Sequence, residues 1–166
     1  ASGCKQEKEA KNIFDGELFT ENIRSTDPRT PEEELAGFEV PPGFEIQLFA
    51  SEPNIDKPIN MNFDVQGRMW VTQSFEYPFP SPAGKKSTDR ITILEDTDGD
   101  GKADRFTEVS DTLNIPVGVL PMADGVIAFS VPKIYRFTDT NGDGKPESKK
   151  PLLGPFGFQD THGMIS

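Results

Sequence analysis

Two stretches of this sequence carry oxygen-bearing side chains at alternate positions, Asp96-Thr-Asp-Gly-Asp-Gly-Lys-Ala-Asp104 and Asp139-Thr-Asn-Gly-Asp-Gly-Lys-Pro-Glu147. Asp96, Asp98 and Asp100 hold the first, third and fifth places of one, and Asp139, Asn141 and Asp143 those of the other. A glycine at the sixth place (Gly101, Gly144) lets the chain turn sharply, so that the main-chain carbonyl of Lys102 or Lys145 at the seventh can face a cation. Asp104 and Glu147, at the ninth, can contribute directly or through water. Hard oxygen donors at this spacing select calcium. The twelfth place holds Thr107 in one stretch and Lys150 in the other, so the bidentate glutamate of a helix-loop-helix calcium hand is missing. Asn141 removes one negative charge, which predicts weaker binding at the second stretch. Asp and Gly also suit plain turns, and it is the second matching copy that favours calcium.

The elements around these loops repeat with them. Arg90–Glu95 leads into the first and Lys133–Thr138 into the second, and the loops start 43 residues apart (139 − 96). Further upstream, Asp64-Val-Gln-Gly67 and Met122-Ala-Asp-Gly125 each precede an apolar run, Met69–Thr72 and Val126–Phe129. Ile91–Leu94 and Ile134–Phe137 are likewise strand candidates, and Phe44, Ile46 and Leu48 alternate with Glu45, Gln47 and Phe49 in the same period-two manner. A period of about 40 to 50 residues with several strands per unit is that of propeller blades. The expected fold is all-β: a partial propeller of about two four-stranded antiparallel blades over residues 40–166, whose remaining blades lie outside this sequence. Residues 1–39 are expected to form a polar tether with short helices, including one that starts at Thr30-Pro31 with three glutamates and stops at Gly37. The segment from Ser74 to Asp89, rich in proline, reads as an excursion between two strands.

Composition narrows the function. With 17 Lys+Arg against 28 Asp+Glu, the net charge of −11 repels a polyanion, so a nucleic-acid partner is excluded. Fifteen glycines and 15 prolines suit a loop-rich β protein, and 13 phenylalanines can still build its core. Trp70 is assigned to that core, Arg68 and Arg90 to the surface, and Glu76 and Tyr77 either to a binding face or to a solvated loop. A single cysteine rules out a disulfide within the chain. That residue, in Ala1-Ser-Gly-Cys4, matches the end of a bacterial lipoprotein signal, with a polar tether behind it. A cloning remnant is the competing explanation, and the lipoprotein reading is preferred; it implies a membrane contact through a lipid on Cys4 and a place in the bacterial cell envelope. His162, the one histidine, reads as a structural residue on its own terms.

From about Pro31 onward the sequence resembles the N-terminal part of the membrane-bound dehydrogenase family of Planctomycetes, Verrucomicrobia and Bacteroidetes. The propeller of that family is similar to soluble glucose/sorbosone dehydrogenases that use pyrroloquinoline quinone. The resemblance is carried by Val40–Pro53, Gly67–Val71, Asp89–Asp104, Leu113–Pro116 and Gln159–Gly163. It implies His162 as the general base that takes a hydroxyl proton from a sugar or alcohol while hydride passes to the quinone. The arginines and further blades that complete such a site lie beyond Ser166 in the family, so no activity is expected of these 166 residues alone. The alternative is a non-catalytic propeller lipoprotein that binds a glycan or a protein partner in a membrane complex.

Overall fold

In the computed structural model, residues 26–82 and 84–158 are described. The chain divides into two units, Ala1–Phe38 and Glu39–Ser166. In the first, the described part contains helix α1 (Pro31–Ala36). Thr30 caps it with a full capping box: Glu33 N–H donates to Thr30 Oγ1 (3.2 Å), and Thr30 N–H to a Glu33 carboxylate oxygen (2.8 Å). Pro31 at the first position and Glu32–Glu34 in the first turn complete the pattern read from the sequence.

The second unit is all-β. Strands β1 (Pro58–Phe63), β2 (Met69–Gln73), β3 (Asp89–Glu95) and β4 (Arg105–Leu113) form one antiparallel sheet in chain order. Strands β5 (Val119–Met122), β6 (Gly125–Ser130), β7 (Lys133–Thr138) and β8 (Ser148–Leu153) form a second with the same order. Each sheet is thus a four-strand meander, the form of a propeller blade, and neither closes on itself.

The register shows why the sheets stack. Trp70 lies opposite Ile93 and Thr72 opposite Ile91, which puts Trp70, Ile91 and Ile93 on one face of the first sheet. With Val109 and Leu113 they pack against Val119, Val126, Ala128 and Phe137 of the second, all at most 7% exposed. Burying each of the Val, Leu, Ile and Phe side chains among them contributes about 1.5–3 kcal/mol. The first strands of the two blades lie side by side, joined by Asn62 Nδ2 donating to the Val119 carbonyl (3.2 Å). Where β1 and β5 turn away from this core their side chains stay exposed: Met61, Phe63, Leu120 and Met122.

Two expectations need correction. Phe44–Phe49, for all its alternation, has no strand partner among the described residues. Arg68 and Arg90 are not simple surface charges: each side chain is about 30% exposed and lies over an aromatic ring, Trp70 and Phe75 respectively. Among the described residues no helix is long and apolar enough to cross a membrane.

Candidate metal centre

The β3–β4 loop and the β7–β8 loop contain the two acidic stretches, and the same hydrogen bonds fold both. Asp96 Oδ1 accepts from Gly99 N–H (2.7 Å) and Oδ2 from Gly101 N–H (2.9 Å). Asp139 accepts in the same way from Gly142 and Gly144 (both 2.7 Å). The third residue accepts from the N–H of the fifth: Asp98 from Asp100 (3.2 Å), Asn141 from Asp143 (2.8 Å). The fifth accepts from the seventh: Asp100 from Lys102 (2.8 Å), Asp143 from Lys145 (2.7 Å). The ninth reaches back to the second: Asp104 accepts from Thr97 N–H (3.2 Å) and Glu147 from Thr140 N–H (2.9 Å). The turn needs a left-handed residue at the sixth place, and Gly101 (φ +84°) and Gly144 (φ +82°) supply it.

The loops differ in what this folding brings together. In the first, carboxylate oxygens of Asp96, Asp98 and Asp104 lie within 4.8 Å of one another. Among the described residues this is the acidic triple that comes so close. Asp100 stands outside the triple, and Lys102 takes part through its main chain. In the second loop the amide nitrogen of Asn141 donates to Asp143 Oδ2 (3.3 Å), which occupies with a neutral donor an oxygen that a cation would otherwise take. The donor set of the first loop therefore fits a calcium ion better.

Charge is managed locally. The N–H of Gly101, with that of Gly99, holds the Asp96 carboxyl below its ordinary value against the opposing effect of burial. Just outside the loop, Glu95 takes a two-pronged bond from Arg105 (2.6 and 2.8 Å), which pushes the guanidinium of Arg105 up and removes one negative charge from beside the cluster. Both loops border one open cleft of about 1030 Å³, lined by Gln47, Gln66, Arg68, Glu95, Asp96 and Gly142 among others.

Two acidic residues that sequence reasoning did not single out anchor the blade. Asp64, in the β1–β2 turn, accepts from Gln66 N–H (2.9 Å), Arg68 N–H (3.0 Å), Arg68 Nε (2.6 Å) and Trp70 Nε1 (2.9 Å). Burial alone would raise its pKa; the bonds from Trp70 and Arg68 outweigh it and leave the carboxyl below its ordinary value. Asp89, at the start of β3, is fully buried and accepts from Ser74 Oγ (2.7 Å), Phe75 N–H (2.6 Å), Glu76 N–H (3.0 Å) and Ile115 N–H (2.7 Å). It ties both ends of the 74–88 excursion to the β4–β5 connection, where buried Ile115 is held at φ +47°, a strained position for a β-branched residue. Glu76 is thus fixed through its main chain. Cys4 and His162 lie outside the described residues.

Residues 30–166 match the model of a family described as a domain of unknown function, DUF7133, and the chain belongs to that family. No curated protein and no solved structure matches it.

Proposed function

We propose that this chain is the N-terminal portion of a surface-anchored, calcium-stabilised β-propeller related to quinone-dependent sugar or alcohol dehydrogenases. The observation that carries the calcium part is the main-chain hydrogen-bond pattern shared by two acidic loops on consecutive blades, with three carboxylates gathered in the first. Asp96, Asp98 and Asp104, with the Lys102 carbonyl at the seventh place, would hold the ion there; Asp139, Asn141, Asp143, Glu147 and the Lys145 carbonyl form the weaker counterpart. A bound calcium relieves the repulsion among crowded carboxylates and pins the β3–β4 corner. Its stabilisation is about 2.7 kcal/mol at a free concentration 100 times the Kd. The oxidoreductase part rests on the resemblance at Gln159–Gly163, with His162 as base, and on no geometry among the described residues. The lipid anchor rests likewise on Cys4.

Calorimetric titration of the chelator-treated protein with calcium tests the metal reading. Two sites are expected, the tighter one lost in Asp98→Ala, together with a calcium-dependent rise in Tm. Neither heat nor a Tm shift at millimolar calcium would remove the metal from both loops. An intact mass of the protein from its native membrane tests the rest: a mass well above 18.3 kDa with acyl groups on Cys4 is expected.

A second reading, a non-catalytic module that binds a glycan, is favoured by the cleft between the loops. Gln47, Gln66, Glu95 and Arg105 line it and are of the types that bond sugar hydroxyls. Binding to immobilised glycans that disappears in Arg105→Ala, without quinone-dependent oxidation by the native protein, would support it over the enzyme.

A further inference from the structure

Residues 44–49 have the alternation of a strand but no ladder, and Phe44 is 73% exposed. Two observations place this segment in the repeat. The first is spacing. β5 begins 61 residues after β1 (119 − 58), and moving β4 (Arg105–Leu113) back by the same amount lands on residues 44–52. The segment therefore stands before β1 as β4 stands before β5.

The second is packing. In the β7–β8 loop, a Cβ at Gly144 would meet Thr107 Cγ2 of β4 at 2.8 Å, so this loop is seated on the outermost strand of the preceding blade. In the β3–β4 loop, a Cβ at the equivalent Gly101 would collide with the Gln47 side chain, one residue from the place that the spacing assigns to Thr107. Gln47 Nε2 also donates to the Asp100 carbonyl (2.8 Å), and Ala103 N–H donates to the Phe49 carbonyl (2.9 Å). Each acidic loop thus grips the chain segment that comes just before its own blade.

We propose that residues 44–49 are the outer strand of a further blade, adding to the free edge of a three-stranded antiparallel sheet of this same repeat that lacks an outer strand of its own. A segment whose main-chain groups stand mostly outside any ladder is a template for such pairing. Gln47 faces the β3–β4 loop, so period two leaves Phe44, Ile46 and Leu48 for the opposite face of the added strand, where the exposure of Phe44 and Ile46 ends once the blade is complete. The inference rests on the propeller reading, and it predicts that the first strand segment of the unit closes the ring rather than opening it.

Hydrogen exchange on the protein from its native source, compared with the 166-residue chain, tests the pairing. Amides within 44–49 should exchange roughly 100-fold more slowly in the native protein than in the shorter chain. Ile46→Pro, which removes one donor and one strand conformation, should abolish that protection while β1–β8 stay protected. Fast exchange at 44–49 in a native protein whose other blades are protected would overturn this inference and leave the propeller standing. A native mass of 18.3 kDa would remove both. Protection that appears in the 166-residue chain only as it dimerises would give the edge to a second copy and overturn the further blade.

Discussion

Replacing Asp89 by asparagine takes one acceptor oxygen from a buried cluster that uses both. Oδ1 serves the N–H groups of Phe75 and Glu76; Oδ2 serves Ser74 Oγ and Ile115 N–H. The amide nitrogen of an asparagine must face one of these pairs. Facing the first, it opposes two N–H donors. Facing the second, it opposes the Ile115 N–H, while the Ser74 hydroxyl, which already accepts from Tyr77 N–H (3.1 Å), can accept from the amide as well but loses the acceptor for its own proton. This cheaper arrangement orphans one buried N–H, at about 1–3 kcal/mol, and turns the two retained charge-assisted bonds into ordinary ones for about 1 kcal/mol more. Asp89→Asn should therefore cost about 2–4 kcal/mol. Asp89→Ala strands three N–H groups and releases the strained Ile115, so its loss should reach the upper part of about 3–5 kcal/mol, a large share of a domain's 5–15 kcal/mol. Urea unfolding followed by the single tryptophan measures both. Asp111→Asn is the control: its bond to Lys86 joins two exposed side chains, and its change should stay within about 0.5 kcal/mol. An Asp89→Asn protein as stable as the wild type would refute the hydrogen-bond account of this corner.

Acid should expose the anchoring carboxylates. Asp64 and Asp96 both have folded pKa values below the ordinary 3.8, so the stability they lend is present above that value and is lost as pH falls through their lower folded values. Because Trp70 Nε1 donates to Asp64, tryptophan fluorescence in an acid titration should report that loss, and Asp64→Asn should flatten the transition below pH 3.8. At the second acidic loop, Gly144→Ala combines a φ of +82° with a Cβ at 2.8 Å from Thr107 and should cost about 2–3 kcal/mol. Gly142→Ala, at φ +77° in open space, should cost only about 1–2 kcal/mol, and equal losses in a thermal melt would show that Gly144 does not seat the loop on β4.

Much of the architecture was readable from local pattern. The four apolar runs Met69–Thr72, Ile91–Leu94, Val126–Phe129 and Ile134–Phe137 are the middle strands of the two blades, and the Thr30-Pro31 cap starts α1 where it should. Middle strands are legible because they are paired on both edges and largely buried, so apolar residues recur along them even where Thr92 in β3 or Arg136 in β7 intervenes. The rim strands are not: β4 reads Arg-Phe-Thr-Glu-Val-Ser-Asp-Thr-Leu and β8 Ser-Lys-Lys-Pro-Leu-Leu, since one side of each meets water. Those strands are recognised only by pairing, which spans a ladder that local composition does not report.

The candidate site divides along the same line. Of the carboxylates that spacing within nine residues put together, Asp96, Asp98 and Asp104 gather around one point, because the turn is closed by their own neighbours, while Asp100 stays outside. Asp89 carries no such spacing, since its donors come from residues 13 to 26 positions away; the donors to Asp64 are close in sequence, but those from Gln66 and one from Arg68 are main-chain groups, which residue types do not mark. The alternation of Phe44–Phe49 predicts a strand that the described residues do not contain, and on the further-blade inference what it lacks is a partner. The repeat makes sense of that gap. Gly101 and Gly144 hold equivalent places in their loops, one covered by Gln47 and the other by Thr107, and only the second of those residues has a described sheet to belong to. A segment that fills the same groove as an outer strand, at the same distance before its blade, is best explained as one whose remaining sheet the described residues do not include.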